Sequence, residues 1–104
     1  MRRILVRAGT EDLKELNDIL SGEGLELRRK VQLNLNENEF VHYITVGGGA
    51  LGLAKCLISY LKLKYQKRKI TIISNGKKIS IESYSVEEIT TLLNDAEEFM
   101  ISDK

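Results

Sequence analysis

Ile70-Thr71-Ile72-Ile73-Ser74-Asn75-Gly76-Lys77-Lys78-Ile79-Ser80-Ile81-Glu82-Ser83 is the stretch that decides the fold class. Asn75-Gly76 is the preferred pair for a type I′ turn, because both central positions need positive φ. Counting outward sets Ile72 opposite Ile79, Ile70 opposite Ile81, Thr71 opposite Ser80 and Lys69 opposite Glu82. One face is then apolar and the other largely polar, and every pair agrees with a single β-hairpin.

Beyond the hairpin, Ser85-Val86-Glu87-Glu88 has the form of a capping box. The Ser85 hydroxyl serves the N3 amide, Glu88 reaches back to the N-cap amide, and Tyr84 and Ile89 are spaced as a hydrophobic staple. Ile89, Leu92, Leu93, Ala96 and Met100 follow at helical spacing. They predict a closing helix with this stripe buried, and residues 102–104 as a free tail.

Before the hairpin, Ala50, Leu53, Ala54, Leu57, Ile58, Leu61 and Tyr65 form one stripe of a second helix, while Lys55, Ser59, Lys62 and Gln66 form the opposite one. That two-sidedness suits a helix lying on a sheet. Phe40 to Val46 reads either as a strand or as the start of this helix, and Asn34 to Asn38 as a turn. Leu25, Leu27, Val31, Leu33 and Leu35 alternate with polar residues as a long half-buried strand, with Arg29 at a bulge or near an edge. Nearer the N-terminus, Arg3 to Arg7 reads as a strand. Thr10 is placed to N-cap a helix that carries Glu11 and Asp12 in its first turn, buries Leu13, Leu16, Ile19 and Leu20, and ends at Ser21-Gly22-Glu23-Gly24.

The expected fold is therefore α+β, a two-layer sandwich in the order β-α-β-(β)-α-β-β-α. With 104 residues and no proline-rich linker or repeat, one domain spans residues 1–101. A hydrophobic content of 42% and a charged content of 30% are those of a folded globular chain. The single cysteine, Cys56, leaves no internal disulfide and no cysteine-based zinc site, and with no secretory leader pattern the expectation is a cytoplasmic protein. Phe40 to Ala54 lacks charge but is stopped by Lys55, short of the roughly 20 apolar residues of a membrane span. Charge is segregated: residues 40–81 hold eight Lys or Arg and no acid, and residues 82–104 hold seven acids and Lys104. Solvated faces attracting one another across the fold account for this most simply.

No stretch carries recognisable catalytic machinery. Gly47-Gly48-Gly49-Ala50-Leu51-Gly52 satisfies G-x-G-x-x-G, a form in which glycines admit a pyrophosphate to backbone amides at a helix N-terminus. The acid that should follow about 20 residues on is replaced by Ile73-Ser74-Asn75. Gly47, Gly48, Gly49 and Gly52 are read instead as letting the second helix pack closely on a neighbouring backbone. His42 has no nucleophile or acid at triad spacing, and no catalytic, cofactor or metal residue is assigned. Lys62, Lys64, Lys67, Arg68 and Lys69, with Tyr60 and Tyr65 interleaved, make a basic helix end that suits either a protein partner or nucleic-acid phosphates.

In order and spacing, several motifs resemble those of the effector-associated constant component, an adaptor family of bacterial conflict and antiviral systems. They are Arg-Ala-Gly-Thr-Glu-Asp-Leu-Lys-Glu-Leu (7–16), Leu27-Arg28-Arg29-Lys30-Val31, Gly48-Gly49-Ala50-Leu51, Lys67-Arg68-Lys69, Asn75-Gly76-Lys77-Lys78-Ile79 and Ser85-Val86-Glu87-Glu88. Tyr60 stands where the family often has Trp, and Phe40 to Val46 where it has an Ala- and Gly-rich linker. The resemblance implies a non-catalytic adaptor that couples an effector, such as a TIR, caspase-like or trypsin-like protein, to a sensor or NTPase encoded nearby. Lys55, Lys62, Lys67, Arg68, Lys69 and Lys78 are the candidate partner contacts. A small nucleic-acid-binding module using the same cations is the alternative reading, and homo-oligomerisation is left open.

Overall fold

A computed structural model describes residues 2–31, 40–47, 50–65 and 67–104. The chain runs β1 (Arg2–Arg7), α1 (Thr10–Gly22), β2 (Leu27–Val31), β3 (Phe40–Val46), α2 (Leu51–Leu63), β4 (Arg68–Ser74), β5 (Lys77–Ser80), α3 (Val86–Asn94) and β6 (Ala96–Asp103). The fold is α+β. The strands form one mixed sheet in the order β2-β3-β1-β6-β4-β5, in which β1 and β6 are parallel and the other neighbours antiparallel.

The hairpin forms in the expected register. Ile72 faces Ile79 and Thr71 faces Ser80, across a turn in which Asn75 (φ 52) and Gly76 (φ 77) both take the left-handed conformation. The Ile81 amide still donates to Ile70 O at 3.1 Å. The expected Lys69–Glu82 pair does not form: β5 ends at Ser80, Glu82 meets Lys104 at 3.3 Å, and Lys69 lies across from Ser102 of β6.

Directions in the sheet make β1-α1-β2, β3-α2-β4 and β5-α3-β6 three crossovers between strands that run the same way but are not neighbours. The middle crossover moves across the sheet opposite to the other two, and its strands also run opposite. Right-handed connections therefore put all three helices on the same side. There α2 lies between α1 and α3, and the core is the layer of Ile4, Ile44, Ile70, Ile72 and Phe99 beneath Leu16, Leu20, Leu57, Ile89 and Leu93, all fully buried. Among the described residues, no helix covers the other side of the sheet.

The closing helix is shorter than the spacing suggests. It ends at Asn94, and residues 96–103 form a central strand rather than helix and free tail. Two forces overrule the helical spacing. The Arg2 guanidinium reaches over from β1 to the orphan carbonyl of Leu93 at the end of α3 and, at 2.7 Å, to Ala96 O at the start of β6, which fixes the turn between them. Without β6, moreover, β1 and β4 would each present a bare ladder edge, since β6 alone joins the half-sheet β2-β3-β1 to β4-β5 among the described residues. Ala96, Phe99 and Ile101 face the core; Met100, assigned to the buried stripe, lies on the opposite, helix-free face.

Other boundaries follow local chemistry. The capping box is complete, with Glu88 N to Ser85 Oγ at 3.2 Å and Ser85 N to Glu88 Oε1 at 3.0 Å. Thr10, by contrast, is the first residue of α1, and Gly9 is its cap without a side-chain bond. A Schellman motif closes α1: Leu25 N bonds Leu20 O at 2.9 Å and Gly24 N bonds Ser21 O at 3.1 Å, with Gly24 at φ 73. Phe40 to Val46 is a strand, because it pairs on both sides, with β1 and β2. Arg29 lies on the edge strand β2, opposite His42. The expected turn at 34–38, the strand residues Leu33 and Leu35, and Gln66 lie outside the described residues.

Gly48 and Gly49 also lie outside the described residues. At Gly52, among the described residues, no neighbouring backbone blocks the place of a side chain; a Cβ there would meet Glu23 Oε2 at 3.7 Å and Leu25 Cδ1 at 3.9 Å, ordinary contact distances. Since α2 tolerates a methyl group at this point, Gly52→Ala is expected to raise stability by about 0.5–1 kcal/mol through helix propensity. Chemical denaturation measures it, and a loss of stability would mean that the helix start needs a bare backbone.

Candidate functional site

The basic end of α2 is organised by α1. Tyr60, fully buried, donates its hydroxyl to Asp12 Oδ1, and Arg68 Nε meets the same oxygen at 3.2 Å. Arg68 Nη1 also reaches Asp103 at 2.9 Å, so four side chains tie α1, α2, β4 and β6 together. Burial first, and then the hydrogen bond that the hydroxyl donates to Asp12, push the pKa of Tyr60 well up, so it stays a donor. Lys64 is held by Glu15 at 3.0 Å. The acids answering this cationic segment thus come mainly from α1 and only partly, through Asp103, from the acidic C-terminal stretch.

Beside this network lies an open groove of about 620 Å³. Ile58, Leu61 and Ile81 supply its apolar lining, Tyr65 and Tyr84 its rings, and Lys62, Arg68, Glu82 and Lys104 its charges. Tyr65 does not continue the buried stripe of α2. It is 83% exposed and sits just past the helix end at φ 51, a conformation that favours glycine. The chain breaks out of helical dihedrals here, and the ring is released into solvent. Tyr84, expected as a staple, is 39% exposed and lines the same groove. Lys104, assigned to a free tail, is drawn in by Glu82 and by its own amide, which donates to Lys67 O at 3.2 Å. Sequence reasoning missed both because their partners are remote in the chain.

The six candidate partner contacts do not share one surface. Arg68 is committed to Asp12 and Asp103, a structural role. Lys55 and Lys62 are exposed on α2, and Lys62 lines the groove. Lys69 and Lys78 project from the opposite face of the sheet, on the side of Thr71 and Ile73. Lys67 is exposed in the link between α2 and β4. Of the cations and rings behind the nucleic-acid alternative, Lys64 and Arg68 are therefore ion-paired, Tyr60 is buried and Lys69 faces away from the groove.

The remaining chemistry-bearing residues are set apart from the groove. His42 lines a cleft between α1 and β2 with Thr10, Lys14, Asn17 and Arg29. Burial, and then the charge of Arg29, lower its pKa from 6.5. The fold therefore favours neutral His42; its contribution is present above pH 6.5 and is lost as pH falls through the lowered value. His42→Gln should flatten that part of the stability–pH profile measured by thermal melts, and an unchanged profile would assign it to another group. Cys56 is buried, its Sγ 3.7 Å from Ile19 O, and burial followed by the charge of Glu23 raises its pKa, which favours the unreactive thiol.

No group of three potential metal-ligating side chains occurs among the described residues. Among them, too, no helix is long and apolar enough to cross a membrane. The strand preceding the glycine cluster, β3, has only antiparallel neighbours, whereas a dinucleotide fingerprint belongs to a parallel βαβ unit. Comparison of the chain with family models, curated proteins and solved structures gave no match.

Proposed function

We propose that the chain is a non-catalytic adaptor domain of a bacterial conflict or antiphage defence system, working in the cytoplasm to couple an effector to a sensor or NTPase. One partner would be held in the groove at the end of α2. The observation that carries this reading is Tyr65, a large aromatic kept in a left-handed backbone conformation and 83% exposed above an apolar-lined groove. A non-glycine residue pays roughly 1 kcal/mol or more for that conformation. Exposed tyrosine rings such as Tyr65 and Tyr84 are among the side chains that dominate protein interfaces. The motif order shared with the effector-associated constant component supplies the biological setting.

Affinity capture with the products of the adjacent genes tests the proposal, using the wild-type chain and Tyr65→Gly. Relief of backbone strain should raise stability by roughly 0.5–1 kcal/mol in the variant, while partner binding falls at least several-fold. Capture that is unchanged by Tyr65→Gly and by Lys62→Glu would remove the groove from the interface. Neighbours without effector or sensor character would remove the adaptor reading.

A further inference from the structure

The helix-free face of the sheet carries a row of side chains set by the strand register. Arg28 lies opposite Tyr43, Tyr43 opposite Leu5, Leu5 opposite Glu98, Glu98 opposite Ile73 and Ile73 opposite Lys78. Each of the six strands contributes one member, and a cation stands at either end. Glu98, in the middle, is neutralised by Arg7 at 3.2 Å, and its side chain is only 12% exposed. Leu5 is 40% exposed although its strand is central, and Met100 extends the apolar middle beside it. Arg3 lies 4.7 Å above the Tyr43 ring, and exposed Lys69 adds a further cation on β4. Glu26, which meets Arg28 at 3.5 Å, is the acid at the margin.

We infer that this face docks a segment of a partner protein with an apolar centre and carboxylates at both ends. Five strand spacings separate Arg28 from Lys78, about 24 Å, the reach of roughly seven extended residues. A second copy of the chain fits poorly, since its own Arg and Lys would oppose these. Single-stranded nucleic acid fits poorly as well, because bases need open rings to stack on, whereas Leu5, Met100 and Ile73 are aliphatic and Arg3 already covers Tyr43. The face is opposite the groove and independent of it, which would give an adaptor two separate surfaces.

The probe is a synthetic peptide, Glu-Glu-Leu-Phe-Leu-Phe-Leu-Glu-Glu, titrated into the isotope-labelled full chain and followed by amide NMR shifts. Shifts should centre on Leu5, Tyr43, Ile73 and Met100. Lys69→Glu with Lys78→Glu should weaken binding by about tenfold at low salt, with less difference at high salt. Arg3→Glu should act in the same direction, and the lysine pair carries the expectation if losing Arg3 disturbs Tyr43. The inference is overturned by shifts confined to Tyr65 and Tyr84, which would point to the groove instead. Absence of shifts, indifference to the charge reversals, tighter binding of oligothymidylate on the same face, or self-association that masks it would also overturn it.

Discussion

Phe99→Ala is expected to destabilise the fold by about 3–5 kcal/mol, the cost of emptying a fully buried aromatic site. The neighbouring Met100→Ala should cost much less, because Met100 lies on the helix-free face and is only half-buried. The pair is diagnostic. A closing helix running through residue 100 would bury Met100 in the stripe of Ile89, Leu93 and Ala96, reversing the order of the two effects. Phe99 also sits opposite Ile72 and beside Val6, so its loss loosens both seams by which β6 joins the half-sheets. Urea denaturation of the two variants measures the difference, and equal losses would contradict the central strand.

Asp12→Ala is expected to be the most damaging change on the surface of α1. It strands the Tyr60 hydroxyl, buried with no other bonding partner among the described residues, at a cost of about 1–3 kcal/mol, and it removes one of the two carboxylates on Arg68. Asp12→Asn keeps an acceptor for Tyr60 and should recover most of the loss. In a double-mutant cycle, Tyr60→Phe should make Asp12→Ala markedly milder, since no hydroxyl is then left unpaired. Additive effects would mean that Asp12 acts through Arg68 alone. One consequence touches function: charge reversal at Arg68 would disturb the fold, so Lys62 and Tyr65 are the cleaner probes of the groove.

How legible the fold was depended on the range of the interaction. The Asn75-Gly76 turn with its register, the capping box at Ser85 and the Gly24 terminus of α1 are written in residues a few positions apart and form as the sequence predicts, although the hairpin stops short of the Lys69–Glu82 pair. The strand at 96–103 was hidden by an accident of spacing: Leu92, Leu93, Ala96 and Met100 fit a helix. Phe99 and Ile101, two apart and left over from that stripe, were the available sign of a strand. For the groove, the sequence supplied the basic helix end and Tyr65 but not their exposure, nor the arrival of Tyr84 and Lys104.

By itself, then, the sequence determined that this protein is an α+β chain with a C-terminal hairpin and three amphipathic helices, because turn dihedrals, caps and hydrophobic period are local properties. Only the tertiary structure decided that residues 96–103 become the central strand, that Arg68 belongs to a structural network and that Lys104 joins Glu82 beside the groove. Each of those outcomes depends on satisfying a ladder edge, a buried hydroxyl or an ion pair whose other half lies tens of residues away, where no short window of sequence can register it.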